Sequence, residues 1–392
     1  IIKIEQDTNG TSKPTREVTE IISPGTNMES KTFTNNMFSI YLEEFKDYKT
    51  KLPILQIGVS IIDITTGHTQ VYETHSDPKD FNYSLDELFR LIQMTNPCEI
   101  IIHTHKITLT QDQLIKYLEI SNYQIHYNLY EGAHYLKNQF RNELLDKVFP
   151  DRGMLTPVEY IDMDRLHFAL IAYVYLIQFT YEHNVNVVHR LKKPTLIDES
   201  LYLILSHDSI NQLNLVKNLN SPNKKGIQSL WDILDKTQTS LGRRFLKHNL
   251  MNPILDVQKL EKRYTLIDFF MQTNQHIPIR NILKNIVDIE RLHRKMATRL
   301  MNPHDLVSLD MSYMNVLGVL GVLKNQEETR ELLIRQHDIE QFREFIGDYT
   351  NKLKLDDLGG VHLGNITQNI FKRGLYPDID ELEDKIERCR VF

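Results

Sequence analysis

Cysteine is nearly missing from these 392 residues, and the two that occur, Cys98 and Cys389, stand far apart with no CxxC pair. That excludes a disulfide-stapled secreted scaffold and points to a reducing, intracellular compartment. A chain of this length can bury a core without staples. Long apolar runs are missing too. The longest, Phe168 to Phe179, is twelve residues, short of the ~18 that suggest a bilayer span, so it reads as a buried helix and no membrane partner is expected. A surplus of positive charge is also absent: the formal net charge is −6, unlike a surface built throughout to neutralise phosphates. Only the stretch from Asn186 to Arg263 runs the other way, with thirteen Lys plus Arg against seven Asp plus Glu. Alanine appears four times while Ile, Asn, Lys and Tyr abound, a bias of the kind an AT-rich genome leaves. The opening residues, Ile1 to Glu5, contain neither a Met start nor the apolar core of a leader, and the expectation is a piece of something longer.

What is present divides by period. Val18 to Ile22 is apolar-rich and stops at Ser23-Pro24-Gly25-Thr26, and the polar stretch Asn27 to Asn36 reads as a linker. From Phe38 the period is two: Ile57, Val59 and Ile61 alternate with polar or small residues, Asp63 to Gly67 supplies a hairpin turn, and Thr69 to Thr74 runs back. Leu85, Leu88, Phe89 and Ile92 then fall at helical spacing, Asn96-Pro97 stops them, and Ile100 to Ile102 suits a strand buried on both faces. A second helix at Leu114 to Leu118 and a strand at Gln124 to Tyr127 complete a mixed α/β domain. Beyond Tyr130 helical patterns take over. Asp162 or Asp164 is the expected cap of the long apolar helix, and Val185 to Arg190 the expected extended connector. Thr239 or Ser240 is expected to cap a helix that buries Leu241, Phe245, Leu246 and Leu250, and Asp256 to start the next. Ile282, Ile286, Ile289, Leu292, Met296 and Leu300 read as one stripe. Pro303 opens another through Leu323, Glu327 to Leu355 a further helix, and Asp378 to Arg388 a charged last one.

Chemistry-bearing patterns are few. His103-Thr104-His105 places two imidazoles on one face of a strand without a third ligand at metal spacing. Asp63, with Glu73, Asp86 and Glu87 downstream, could begin a two-metal carboxylate set, or Asp63 could simply start its turn. No GxxxxGK[ST], GxSxG or HExxH occurs, so the expectation is no catalytic, cofactor-binding or metal residue in this chain. Lys192-Lys193, Lys224-Lys225 and Arg243-Arg244-Lys247 could meet phosphate, but interleaving aromatics are too sparse for stacking on single strands.

The stretch from Gly226 to Asn252 resembles the core-domain signature of MutS, the DNA mismatch-recognition family, with Leu234, Asp235, Thr237, Thr239, Leu241, Gly242, Leu246 and Pro253 in its places. Upstream, Asp208 followed by Asn214-Leu215 is similar to a second family phrase, although Val216-Lys217 replaces the usual Glu-Leu. Asp288 to Leu292 and Asn302 to Leu306 resemble paired "DLERL" and "NPRDL" phrases, Gly374 to Ile386 the entry into the family's clamp, and Arg16 to Thr26 the last strand of the mismatch-reading domain. The matches run in order along nearly the whole chain.

The resemblance implies a multidomain α/β plus all-α protein. Residues 1–27 would be the remnant of a mismatch-recognition domain, 28–37 a linker, 38–128 an RNase H-like α/β connector, and 129–392 a long-helix core and lever. It implies a scaffold that couples DNA binding to an ATPase outside this chain. A mismatch wedge would precede Ile1, and a clamp tip and P-loop ATPase would follow Phe392. ATP and Mg²⁺ would serve the full-length protein, mismatched or branched double-stranded DNA would be its partner, and a homodimer its assembly. Arg243, Arg244 and Lys247 would be the DNA-facing residues, and Gly242 would permit close approach of a backbone. The alternative is a stand-alone helical protein-interaction scaffold that has lost the motor.

Overall fold

The computed structural model describes residues 1–6, 16–29, 35–130, 132, 134–203, 205, 207–216, 226–324, 328–366 and 369–390. The chain parts into two compact units, Ile1–Leu234 with Lys247–Pro253, and Asp235–Leu246 with Ile254–Phe392. The first holds all the described strands, the second is helical.

The first unit opens with a hairpin, β1 (Ile2–Gln6) against β2 (Arg16–Ile21). Then come β3 (Asn36–Lys46), β4 (Pro53–Asp63), β5 (His68–His75), α1 (Tyr83–Thr95), β6 (Glu99–His105), α2 (Gln111–Tyr117) and β7 (Gln124–Tyr127). After them run α3 (Asn138–Val148), α4 (Pro157–Tyr160), α5 (His167–His183), α6 (Val185–Val188), β8 (Thr195–Leu196), α7 (His207–Gln212) and α8 (Leu230–Leu234). β3 starts at Asn36, inside the stretch read as linker.

The large sheet has the order β7-β6-β3-β4-β5-β8. β3, β4 and β5 are antiparallel neighbours, whereas β6 lies parallel to β3 and β7 parallel to β6. Its two faces carry different cores, as the pleat requires. Phe38, Ile40, Leu42, Ile57, Val59 and Ile61 face α1 and α2. Met37, Tyr41, Ile62 and Ile101 point the other way, against α5. The polar or small residues between Ile57, Val59 and Ile61 are therefore buried as well. Gly58 and Ser60 lie beneath α5, with Ser60 opposite Ser39. A Cβ on Gly58 would stand 2.0 Å from the carbonyl carbon of Phe168, so only glycine admits the helix there.

Two expectations change here. Neither Asp162 nor Asp164 caps α5; its first amides, of Phe168 and Ala169, donate to Glu73 Oε2 at 2.8 and 2.9 Å. Glu73 is the cross-strand partner of Gly58, so one pair of positions both admits the helix and satisfies its N-terminus. Val185–Val188 is helical rather than extended. Val187 and Val188 are fully buried, and that burial outweighs the strand preference of β-branched residues. The same unit includes α3 to α8, which follow residue 128.

α9 (Ser240–Met251) is shared by the two units. The helical unit continues with α10 (Val257–Thr273), α11 (His276–Leu283), α12 (Ile289–Ala297), α13 (Pro303–Leu323), α14 (Gln336–Lys352) and α15 (Pro377–Arg390). The stripe from Ile282 to Leu300 is thus two helices. The chain turns after Leu283, Ile286 tucks in at 7% exposure and the Val287 amide donates to Ser312 Oγ at 3.1 Å. α14 begins at Gln336, after the point expected; Glu327 lies outside the described residues. α13 is long and apolar enough, by length and composition, to cross a membrane. Here Leu309 and Tyr313 form a small core with Ile346 of α14, and Tyr349 donates to Asp310 at 2.6 Å.

Candidate functional site: a helix-start junction

The residues that carry the family resemblance act on helix starts. In the first unit Asn214 follows α7 with φ of 48°, in the left-handed region that asparagine tolerates. Its carbonyl accepts from the Leu230 amide at 2.7 Å and that of Leu215 from Trp231 at 3.0 Å, so both receive the first amides of α8. Leu215 packs with Ile210 and Met251, and the Pro253 carbonyl accepts from Leu203 at 2.7 Å. Asp208 begins the phrase within α7; its side chain lies outside the described residues, as do Lys217, Lys224 and Lys225. Leu234 ends α8 half-exposed, at 44%.

In the helical unit Asp235 closes a turn, its Oδ1 accepting from the Thr237 hydroxyl at 2.6 Å, while Oδ2 accepts from Arg243 Nε at 2.6 Å. Burial opposes the Asp235 charge, but the Thr237 hydrogen bonds and Arg243 outweigh it and hold the carboxyl below its ordinary range. Of the two candidate caps of α9, Thr239 serves, its Oγ1 accepting from the Gly242 amide at 3.0 Å. The close neighbour of Gly242 is that hydroxyl, 3.0 Å from where a Cβ would stand, and not a backbone. Leu246 is half-buried and Phe245 is 63% exposed, so the helix is less buried than its spacing suggests.

Arg244 is the centre of the junction. Its guanidinium forks onto Asp288 at 2.7 and 2.8 Å and reaches Glu290 at 2.6 Å. Burial works against its charge, but the two carboxylates more than compensate and raise its pKa. Asp288 is the N-cap of α12 and also lies 3.5 Å from Arg291 Nε. The signature phrase and the Asp288-to-Leu292 phrase thus meet through a bidentate pair. The third phrase closes the set. Asn302 and Asp305 form a capping box at the start of α13, and Lys295 approaches Asp305 at 3.7 Å.

The three cations expected to face DNA have different surroundings in the fold. Arg244 is spent on Asp288 and Glu290, Arg243 is paired with Asp235, and burial lowers the pKa of Lys247, in the first unit. Sequence spacing pointed to the cations but gave no sign of their partners, which lie 44 and 46 residues away for Arg244.

The other candidates are separate. Asp63 starts its turn, with Oδ1 accepting from the Thr65 hydroxyl at 2.6 Å and its carbonyl from Gly67 at 2.7 Å. Glu73 caps α5, Asp86 accepts from Tyr117 Oη at 2.5 Å, and Glu87 from Arg90 at 2.8 Å. Asp63 and Glu73 stand five register positions apart on neighbouring strands, about 17 Å. His103 is buried, stacked on Tyr175 at 3.8 Å, and its Nε2 accepts the Tyr130 amide at 3.1 Å; burial lowers its pKa to about 4. His105 points toward Glu43 at 3.9 Å. Among the described residues no cluster of three or more His, Cys, Asp or Glu could hold a metal.

In the helical unit the starts of α9, α12 and α13 are thus each held by side chains of the family phrases. Residues 208–387 match the family model of MutS domain III. The chain is 30% identical over 400 residues to a mutS homologue of Acanthamoeba polyphaga mimivirus, covering 95% of this chain and 35% of the relative. It is 26% identical over 376 residues to the DNA mismatch repair protein MutS of Fervidobacterium nodosum, with 94% and 40% covered, and 26% over 312 residues to that of Caldanaerobacter subterraneus, with 79% and 33% covered. The chain belongs to the MutS family of mismatch-repair proteins. It spans about a third of the length of these curated relatives.

Proposed function

We propose that this chain is the scaffold portion of a DNA mismatch-recognition protein, coupling DNA binding to an ATPase that lies outside these residues. The observation that carries the reading is the Arg244 fork: two family phrases are used to fix one helix start against another, the task of an element that passes on a rigid-body shift. The partner is double-stranded DNA, mismatched or branched, bound by a homodimer of the full-length protein, with ATP and Mg²⁺ as its cofactors. The compartment is reducing, and burial suits Cys98 to it by pushing the thiol up to about 12. No membrane is engaged.

In this reading residues 38–128 are an RNase H-like connector without nuclease function. What supports it is the strand order: an antiparallel β3-β4-β5 meander, followed through α1 and α2 by two parallel strands on the far side of β3. Residues 1–27 belong to the mismatch-recognition domain, 28–37 to a linker, and 129–392 to the core and lever.

A second reading, the stand-alone interaction scaffold, draws on α10, whose Tyr264, Ile267 and Met271 are 55%, 52% and 68% exposed and would suit a protein partner. Reading the gene downstream of the Phe392 codon separates the two. An open frame encoding GxxxxGK[ST] is expected; a stop codon there would favour the stand-alone scaffold.

A further inference from the structure

Glu99, the first residue of β6, is a fully buried carboxylate that the junction above does not involve. Its oxygens serve two places. Oε2 accepts from the Ser23 hydroxyl at 2.7 Å and from the Gly25 amide at 3.0 Å, while Oε1 meets His126 Nε2 on the edge strand β7 at 2.7 Å. Burial opposes its charge, but the hydrogen bonds from His126, Ser23 and Gly25 prevail and lower its pKa.

The turn is gripped from the other side as well. Asn35, 1% exposed, donates from Nδ2 to the Gly25 carbonyl at 3.0 Å, so both polar groups of one residue are held by buried side chains. Space at that point is tight, so that a larger residue must displace the neighbouring side chains or the turn. A Cβ on Gly25 would stand 2.1 Å from Met37 Cγ and 2.8 Å from Glu99 Oε2. Beyond the turn, the described attachments of the β1–β2 hairpin include one at its flank, where Asn184 Nδ2 donates to Glu20 Oε1 at 2.6 Å.

We propose that Glu99 is a latch, a positioning residue that locks the Ser23–Thr26 turn, and with it the β1–β2 hairpin, onto the sheet. A displacement of the hairpin then reaches β6 through one buried carboxylate, and reaches β7 through His126. An acid suits this place because a carboxylate accepts several hydrogen bonds at once, and because removing it leaves buried donors without acceptors. The use of the latch in relaying a signal from DNA rests on the scaffold reading above; the latch itself does not.

Hydrogen exchange on the whole chain, read by mass spectrometry, tests it without DNA. Glu99→Ala is expected to speed exchange of segment 16–29 at least tenfold and to leave segment 53–63 of the sheet within twofold of wild type. Glu99→Gln keeps an acceptor for Ser23 and Gly25 and is expected to restore most of the protection. Gly25→Ala, which keeps the acid but displaces the turn, is expected to match Glu99→Ala. Unchanged exchange in segment 16–29, or equal acceleration in both segments, would overturn the latch. Should Glu99→Ala fail to fold, the Gln and Gly25→Ala variants decide by the same comparison. Accelerated exchange in segment 16–29 with unaltered DNA binding would leave the latch standing and count against the scaffold reading only.

Discussion

His103 shows what a side chain can mean once its surroundings are known. In the sequence it was half of a conceivable metal pair; in the fold it is a neutral ring stacked on Tyr175 that accepts a backbone amide. Its pKa is lowered to about 4 in the fold, against about 6.5 in an unfolded chain. The unfolded state therefore binds the extra proton first as pH falls, and the stability this histidine contributes is complete above about 6.5 and lost toward 4. Urea denaturation at pH 7.5 and 5.0 should show wild type losing about 2 kcal/mol more than His103→Gln, which keeps an acceptor and does not titrate. Equal losses would mean that the imidazole is hydrated in the fold. Arg244 gives the second test at this scale. Removing it leaves two partly buried carboxylates short of a partner, although Arg291 still approaches Asp288. Arg244→Ala should cost about 2–4 kcal/mol and Arg244→Lys, which loses the bidentate fork, about half as much. Duplex affinity should stay within about twofold; a drop in affinity at unchanged stability would place Arg244 on DNA.

At the level of elements, much was legible. The hairpin turn at Asp63, the stop at Asn96, the double-faced Ile100–Ile102 strand and the starts of α10 and α13 all follow from local pattern and capping chemistry, because those signals act over a few residues. The failures share a cause. The α5 cap comes from Glu73, about 95 residues earlier in the chain, and the break after Leu283 is fixed by Asp288 and by Ser312, 25 residues beyond Val287; no window of spacing contains such partners. Glycines make the same point quantitatively. Gly58→Ala would set a Cβ against the backbone of Phe168 at 2.0 Å and should cost about 3 kcal/mol or more, because neither strand nor helix start can yield. Gly318→Ala, inside α13 with its nearest neighbour an Ile282 methyl at 3.8 Å, should be neutral or stabilise by up to about 1 kcal/mol. Thermal melts of the two variants check the pair, and a stable Gly58→Ala would show that α5 stands farther from the sheet than described.

For the whole molecule, order along the chain spoke more clearly than any single motif. The phrases at Asp208, Gly226–Asn252, Asp288 and Asn302 fall within the span that matches MutS domain III. What they do was not legible, since a caps-and-forks role depends on which phrase touches which. Because the chain has no phosphate-cradling GxxxxGK[ST] loop, calorimetry should detect no saturable ATP binding at micromolar concentrations. DNA binding tests the scaffold account most directly. A net charge of −6, with Arg243 and Arg244 already paired to carboxylates, allows only a few phosphate contacts. Their affinity should be on the order of 10⁻⁴ to 10⁻⁶ M at physiological salt and should fall steeply as salt rises. In a fluorescence anisotropy titration with matched and mismatched 30-mers, the account predicts weak, salt-sensitive binding of equal strength to both. A mismatch preference above about tenfold, or ~1.4 kcal/mol, would contradict it and place the reading element within these residues.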